Sequence, residues 1–414
     1  YSGECQAAIH AYTEELFGKE QVFRAGTIST LAERTAYGFV KNYLDSKGIV
    51  ARNAEINRLV RGCSGVRRTT GQHPGGMVVI PVGCSVCEFT PVQYPANDRN
   101  SVTITTHFDF HSIDETLVKL DILGHDDPTV LRMLQDMTGV DPLQIPLDDP
   151  DTMSIFSGVE ALKVRPEDIG EEVGTIGIPE FGTRFVRGML KETRPKTFGD
   201  LVRISGFSHG TDVWANNAQD LIKNGIATLE EAIATRDDIM LYLIQRGLPS
   251  KHAFTIMEQV RKGRGLKPED IEAMKAKEVP QWYIESCQKI SYMFPKAHAV
   301  AYVMMSFRIA YFKVHHPDAF YAAYFTTKAE EFDADLILAG PDQMRRVIQK
   351  VENNWADATA KDKSVASILE VALEAMARGI RFLPVDLYRS DATKFRVVEP
   401  NTLLPPLIGL QGLG

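Results

Sequence analysis

No stretch of the chain approaches the roughly 20 uninterrupted apolar residues that cross a bilayer as a helix. The most apolar run, Ala299 to Phe307, is short and is followed by Arg308 and Lys313. A basic leader is missing too, since Glu4, Glu14 and Glu15 stand where a secretory signal would carry lysine or arginine. Neither a membrane span nor a leader is expected. Cysteine is scarce and odd in number, 5 in 414 residues. That excludes a disulfide-stapled framework and points to a reducing cytoplasm. Cys84-x-x-Cys87 has no second pair and no nearby histidine partner, so no structural zinc is expected. Low-complexity tracts and internal repeats are absent. An excess of positive charge is absent as well, the formal net charge being −8. Taken alone, that argues against a nucleic-acid binder.

What is present is ordinary globular composition, with 44% apolar, 9% aromatic and 24% charged residues. The length suits two or three domains. Charge, however, is segregated along the sequence. Residues 141–172 are strongly acidic, whereas residues 184–203, 245–267 and 288–316 are rich in lysine and arginine. Local basic segments can hold phosphate even in an acidic protein.

The hydrophobic pattern divides the chain. Residues 1–130 read as mixed α and β. Ala7 to Phe17 and Thr30 to Leu44 have helical spacing, the latter with a stripe of Leu31, Ala32, Ala36, Phe39, Val40 and Leu44. Met77 to Pro81, Ser101 to Phe110 and Thr116 to Leu123 read as strands, with Pro74-Gly75-Gly76 as a tight turn before the first. Residues 129–385 read mostly as helices, clearest at Leu229 to Gln245, Ala253 to Arg261, Pro280 to Met293, Ala297 to His315 and Lys363 to Arg378. The helix from Ala297 is apolar nearly all round and is expected to be buried. Both ends read as cut, and Leu410 to Gly414 reads as a hairpin whose second helix is missing.

Five constellations could carry chemistry. In Leu117 to Gly124, strand alternation puts Lys119 and Asp121 on one face, about 6–7 Å apart. That pairing suits phosphoryl transfer, with the carboxylate on a hard cation and the ammonium on phosphate, and equally a salt-bridged edge strand. His107, Asp109 and His111 alternate in Thr106 to His111, which would suit a metal-dependent hydrolase if they share a strand face. Arg67 to Gly76 could cradle an anion but lacks the ending of a P-loop. Val260 to Gly265 places three bases between two glycines after a helix, a pattern for a phosphate clamp or for an exposed basic turn. Tyr292 to Pro317 opens with Lys296 and His298 at a helix start, which favours anions.

Taken together, these blocks resemble the bacterial family C replicative DNA polymerases, specifically PolC-type alpha subunits of DNA polymerase III. The matching stretches are Phe23 to Ile28, Thr35 to Lys41, Arg68 to Gly76, Thr106 to Ile113, Leu117 to Pro128, Gly174 to Arg184, Ser208 to Trp214, Val260 to Leu266 and Tyr292 to Pro317. They cover nearly the whole chain in order. The resemblance implies an α+β fold: the later part of a polymerase-β-like nucleotidyltransferase palm over residues 1–128, large, mostly helical fingers over 129–385, and a truncated helix-hairpin-helix entry to a duplex-binding region over 386–414. It implies template-directed transfer from dNTP to a primer 3′-hydroxyl with two Mg²⁺ ions. Asp121 matches the third metal-binding carboxylate and Lys119 a triphosphate contact. Arg261 and Lys262, with Lys296 and His298, match positions near the triphosphate, and Arg264, Arg184 and Arg187 are expected to reach DNA. Asp109 and His111 become neighbours of the site rather than ligands. The other two catalytic aspartates, the thumb, the exonuclease and the segments that meet the sliding clamp and other replisome subunits are expected outside this sequence. The slice alone is therefore expected to be inactive. The metal-dependent hydrolase and a non-catalytic DNA-binding module are the alternatives.

Overall fold

The computed structural model describes residues 1–410. The chain divides into two compact units, Tyr1–Thr129 and Val130–Gly414. Among the described residues, no helix is long and apolar enough to cross a membrane.

Unit 1 is built on a five-stranded sheet in the order β3-β4-β1-β2-β5. Helix α1 (Gln6–Phe17) precedes β1 (Val22–Thr30). A helical hairpin, α2 (Glu33–Ser46) and α3 (Asn53–Cys63), separates β1 from its antiparallel partner β2 (Arg67–Val79). Short strands β3 (Val92–Gln93) and β4 (Thr105–Thr106) extend one edge, and β5 (Val118–Asp121) forms the other. The hairpin has its own small core of Ala36, Val40, Leu44, Ile56 and Val60. Phe39, expected in that stripe, is instead exposed and lies under the Arg68 guanidinium.

Three local expectations change. β2 begins at Arg67, ten residues before the apolar Met77, because its polar half pairs with Gly26 to Thr30 as a solvent-exposed ribbon in which nothing selects apolar alternation. Pro74-Gly75-Gly76 is not a turn before a strand but a bulge inside β2. Arg24 pairs with Met77 and Gly26 with Gln72, so four residues of β2 stand against Ala25 alone. Ser101 to Phe110 is mostly loop. Only Thr105–Thr106 is strand, and Phe110–Ser112 turns into a short 3₁₀ helix capped by Asp109.

Close approach fixes Gly26. A Cβ there would stand 1.8 Å from the Thr106 carbonyl oxygen, where β4 joins β1. Backbone cannot yield as a side-chain tip can. Gly26→Ala is therefore expected to destabilise the chain by about 3 kcal/mol or more, read as a lower urea midpoint for the transition of unit 1.

Unit 2 is helical around one large apolar core. The helix Lys296–His315 exposes only Ala297, Ala301 and His315, as its all-round apolarity anticipates. Helices Arg236–Gln245 and Gln281–Lys289 are shorter than their periodicity suggests. Asp238 fixes the start of the first, its carboxylate accepting the Thr235 amide (2.9 Å). The second stops before Ser291 and Tyr292, whose backbone turns to bond Thr211.

Residues 386–410 contain no α-helix. They supply β7 (Arg396–Glu399) and β8 (Thr402–Leu404), which with β6 (Arg381–Phe382) make a small sheet in the order β6-β8-β7. Phe382 and Phe395 pack against Phe325 and Phe332 of the helical core. Leu410 is the last described residue, and Gln411 to Gly414 of the expected hairpin lie outside the described residues.

Candidate functional site

In unit 1 the sheet builds the Lys119–Asp121 couple from its edge. β5 pairs only with β2, Asp121 opposite Gly76 and Lys119 opposite Val78. Leu120 and Ile122 turn to the other face, against Val22, Met77 and Ile9. Ile122 donates its N–H to the Gly75 carbonyl (2.7 Å), and Gln6 Nε2 donates to the carbonyls of Pro74 and Ile122 (2.9 Å each). His73 Nδ1 accepts from the amides of Gly75 and Gly76 (3.1 and 2.7 Å). Gly75 is required, since a Cβ would meet the Ile122 carbonyl oxygen at 2.6 Å. The bulge thus holds the end of β5 where no side chain from Gly76 covers it. Lys119 Nζ stands 3.2 Å from Asp121 Oδ1, the lysine side chain 20% and the aspartate 52% exposed. The ammonium also lies 5.1 Å from the Phe110 ring centroid. The outcome is an ion pair whose carboxylate is open to solvent.

Asp121 alone does not make a metal centre. Among the described residues, no three His, Cys, Asp or Glu side chains come close enough to share an ion, and one carboxylate supplies at most two of the roughly six oxygens that a hard divalent cation takes. The alternating His107, Asp109 and His111 do not converge either, because the segment is not a strand. His107 Nδ1 hydrogen-bonds Gln93 Oε1 (2.5 Å), Asp109 accepts the His111 amide (3.1 Å), and the His111 ring stands almost wholly in solvent. The hydrolase reading loses its geometry.

Unit 1 also holds a basic surface that the sequence reading missed. Between Glu33 and Arg68 lie eight bases (Arg34, Lys41, Lys47, Arg52, Arg58, Arg61, Arg67, Arg68) and three acids (Glu33, Asp45, Glu55). Exposed Tyr37, Phe39 and Tyr43 accompany them. Counting charge across a helical hairpin, rather than in single runs, would have revealed it.

In unit 2 three blocks far apart in sequence meet. Thr211 donates its N–H to the Tyr292 carbonyl (2.9 Å) and accepts from Ser291 (3.1 Å), while the Met293 amide donates to the Arg261 carbonyl (3.3 Å). Ser291 Oγ donates to Asp212 Oδ2 at 2.5 Å. The turn after the helix Ser250–Arg261 therefore sits on the strand-like entry to the helix Lys296–His315. Glu180 and Asp212 hold left-handed backbone here (φ 66° and 58°), conformations that non-glycine residues adopt only when their surroundings enforce them.

Arg261 and Lys262 share one carboxylate. Arg261 reaches both Glu258 oxygens and Lys262 Nζ stands 3.1 Å from Oε2. The Arg261 hydrogen bonds pull the Glu258 carboxyl down to about 2, so it stays charged at neutral pH. Arg264 and Lys262 line an open cavity of about 380 Å³ with Lys267 and Phe254. Lys296 is the first residue of its helix. Its amide donates to Asp237 Oδ2 (2.7 Å) and its Nζ to Asp238 Oδ1 (3.3 Å). The anion favoured by that helix start is thus supplied by the chain itself. Lys296 also lines a cavity of about 420 Å³ with Arg203, Asp238, Tyr242, Trp282 and Tyr283. His298 packs among Phe294 (4.8 Å between centroids), Tyr302 (4.5 Å) and His209 (6.3 Å). His209 pairs with the Glu180 carboxylate. Burial, and then His298, hold the His209 imidazole below its usual range. Glu180 and His209 lie in blocks carried by the resemblance, but neither had been assigned a role.

Arg187 corrects an expectation. Its side chain is 4% exposed, and its terminal nitrogens rest on Glu171 (3.2 Å) and Glu370 (2.8 Å). Arg184 bonds Glu352 and Glu370 and lies 4.9 Å from the Trp355 ring centroid. Here the acidic and basic runs of the sequence neutralise one another inside the fold. The cavity they line, about 480 Å³, presents four bases (Arg184, Arg187, Lys191, Arg345) and four acids (Glu167, Glu171, Glu352, Glu370). Arg187 is thereby removed from solvent, whereas the Arg184 side chain stays 40% exposed.

Two family models match parts of the chain. Residues 39–124 match the family model of the bacterial DNA polymerase III alpha NTPase domain, and residues 127–281 that of the bacterial DNA polymerase III alpha subunit finger domain. Over all 414 residues, the chain is 60% identical to "DNA polymerase III PolC-type" of Caldanaerobacter subterraneus subsp. tengcongensis, 58% to that of Clostridium perfringens and 57% to that of Bacillus subtilis. It spans 30%, 28% and 29% of those proteins respectively.

Proposed function

We propose, for a chain that belongs to the family of PolC-type DNA polymerase III alpha subunits, that it supplies part of the machinery for template-directed transfer of a nucleotide from a dNTP to a primer 3′-hydroxyl in chromosomal replication. Unit 1 is read as the later part of a polymerase-β-like palm, and unit 2 to about residue 385 as fingers. The activity is the one named for relatives of whose length this chain spans less than a third.

The observation that carries the reading is the open carboxylate of Asp121 beside Lys119 at a sheet edge held free of cover by the β2 bulge. Asp121 is assigned as one ligand of a Mg²⁺ centre completed by carboxylates beyond the described residues, and Lys119 as a triphosphate contact. Arg261 and Lys262 are assigned to the triphosphate as well. Glu258 holds both in place, and a triphosphate, carrying more negative charge than one carboxylate, competes for them. Lys296 and His298 are assigned to the border of the nucleotide site. Arg264 and the basic α2–α3 hairpin are assigned to primer–template DNA. The sliding clamp and other replisome subunits are assigned to segments outside this chain.

A primer-extension assay tests the division of labour. The 414-residue polypeptide is expected to bind primer–template at low salt, more weakly as salt rises, and to add no nucleotide with Mg²⁺ and dNTPs. Robust extension by the polypeptide alone would refute the proposal that its metal-binding set is incomplete.

A further inference from the structure

The segment from Asp386 to Arg396 in unit 2 ends in a tip that is fixed yet uncovered. Leu387 is 74% and Tyr388 93% exposed. The turn beneath them is braced. Asp386 Oδ1 accepts the amides of Tyr388 (2.8 Å) and Arg389 (3.1 Å), while the Asp386 amide donates to Ser390 Oγ (3.0 Å) and the Ser390 amide to the Asp386 carbonyl (2.9 Å). Asp391 Oδ1 accepts the amides of Thr393 and Lys394 (2.9 and 3.0 Å), and Arg396 donates to the Arg389 carbonyl (3.0 Å). Phe395 anchors the base of the loop in the core, 4.8 Å from Phe332 between ring centroids. A tyrosine shown on such a turn has little conformational freedom left to lose when something stacks on it.

The segment carries three bases, Arg389, Lys394 and Arg396, against two acids, Asp386 and Asp391. Both acids of the segment, Asp386 and Asp391, are occupied by backbone amides. Arg389, Lys394 and Arg396 are exposed. The Thr393 and Lys394 amides, and after them the charges of Lys394 and Arg396, hold the Asp391 carboxyl below its usual range. A single strand of DNA offers a π-face to the ring and a phosphate at every nucleotide to the cations. An acidic peptide offers only the second.

We propose that Tyr388 is a stacking platform for an unpaired base of single-stranded DNA, with Arg389 and Lys394 on the flanking phosphates. The assignment rests on the reading of the chain as part of a DNA polymerase. It goes beyond that reading in naming a contact to an unpaired strand on the turn after β6.

Fluorescence anisotropy on the 414-residue chain at low salt tests it, with a labelled single strand of about 16 nucleotides and a blunt duplex of the same length. Tyr388→Ala is expected to weaken single-strand binding about tenfold and leave duplex binding unchanged. Tyr388→Phe keeps the ring and keeps affinity. Arg389→Ala/Lys394→Ala is expected to flatten the salt dependence on the single strand. All variants should melt with the wild-type chain, because the side chain is outside the core. If the wild type binds DNA and Tyr388→Ala binds the single strand equally well, or loses both forms alike, the stacking platform is wrong, and the tip becomes a surface for a protein partner. If the wild type binds neither form, the polymerase reading fails and takes this inference with it.

Discussion

Asp121→Asn in the intact polymerase is expected to lower the rate of nucleotide addition by roughly a thousandfold or more while primer–template affinity stays within about twofold. Neutralising charge with a metal is worth several kcal/mol in the transition state, and each 1.36 kcal/mol is about a factor of ten in rate. Asparagine keeps the shape of the side chain but not its charge, so β5 should still form. Single-turnover incorporation under saturating dNTP reads the effect. The bland account of the same geometry gives a different number. An exposed ion pair at a strand edge contributes about 0–1 kcal/mol. If Asp121 only pairs with Lys119, the substitution shifts stability slightly and leaves turnover alone, and that result would overturn the assignment. Lys119→Met separates the roles further. A triphosphate contact made before the chemical step raises KM with little change in kcat, whereas a contact made only in the transition state lowers kcat.

Lys313→Ala is expected to destabilise unit 2 by about 3–5 kcal/mol, the usual cost of leaving one member of a buried ion pair without its partner. Lys313 and Glu374 are both fully buried, 2.6 Å apart. The ammonium also donates to the carbonyls of Gly174 (2.8 Å) and Ile176 (2.6 Å), so its three protons meet three acceptors. Glu374 accepts from Tyr321 Oη as well (2.7 Å), and Arg378 donates to the Lys313 carbonyl (2.7 Å). Burial pulls the lysine down to about 8 despite the attraction of Glu374. The network ties the segment at Gly174–Ile176 to three helices, and Glu180, which pairs with His209, lies four residues beyond that segment in the chain. Lys313→Met/Glu374→Leu should lose much less than Lys313→Ala, because it removes both charges and fills the space. Urea unfolding of the three chains reads the difference. Equal losses in the double and single variants would show that packing, not the unpaired charge, sets the cost.

The sequence by itself determined a good deal. Alternation placed Lys119 and Asp121 on one strand face, because the side-chain period of a strand is two wherever a strand exists. The all-round apolarity of Ala297 to His315 marked a helix that only a core can hold. The family resemblance, carried by blocks spread along the whole chain, was legible before any coordinates. Errors arose where local pattern met long-range pairing. His107, Asp109 and His111 alternate as ligands on a strand would, but Asp109 closes a 3₁₀ turn on the His111 amide and the alternation has no face to act on.

Tertiary structure alone decided which charges are available. Arg187 and Glu171 belong to opposite runs in the sequence, and only the fold brings them to 3.2 Å and removes the arginine from solvent. Arg261, Lys262 and Glu258 can be paired from helical spacing, yet their place beside Ser291 and Tyr292 depends on a turn seated by backbone bonds to Thr211, some 80 residues away. The same holds for Asp121. Its identity is written in the chain, while its openness depends on a bulge of four residues opposite Ala25. The physical reason is range. Backbone propensity and side-chain periodicity act over a few residues, whereas burial and ion pairing depend on which distant segment arrives opposite, and that is settled only when the core closes.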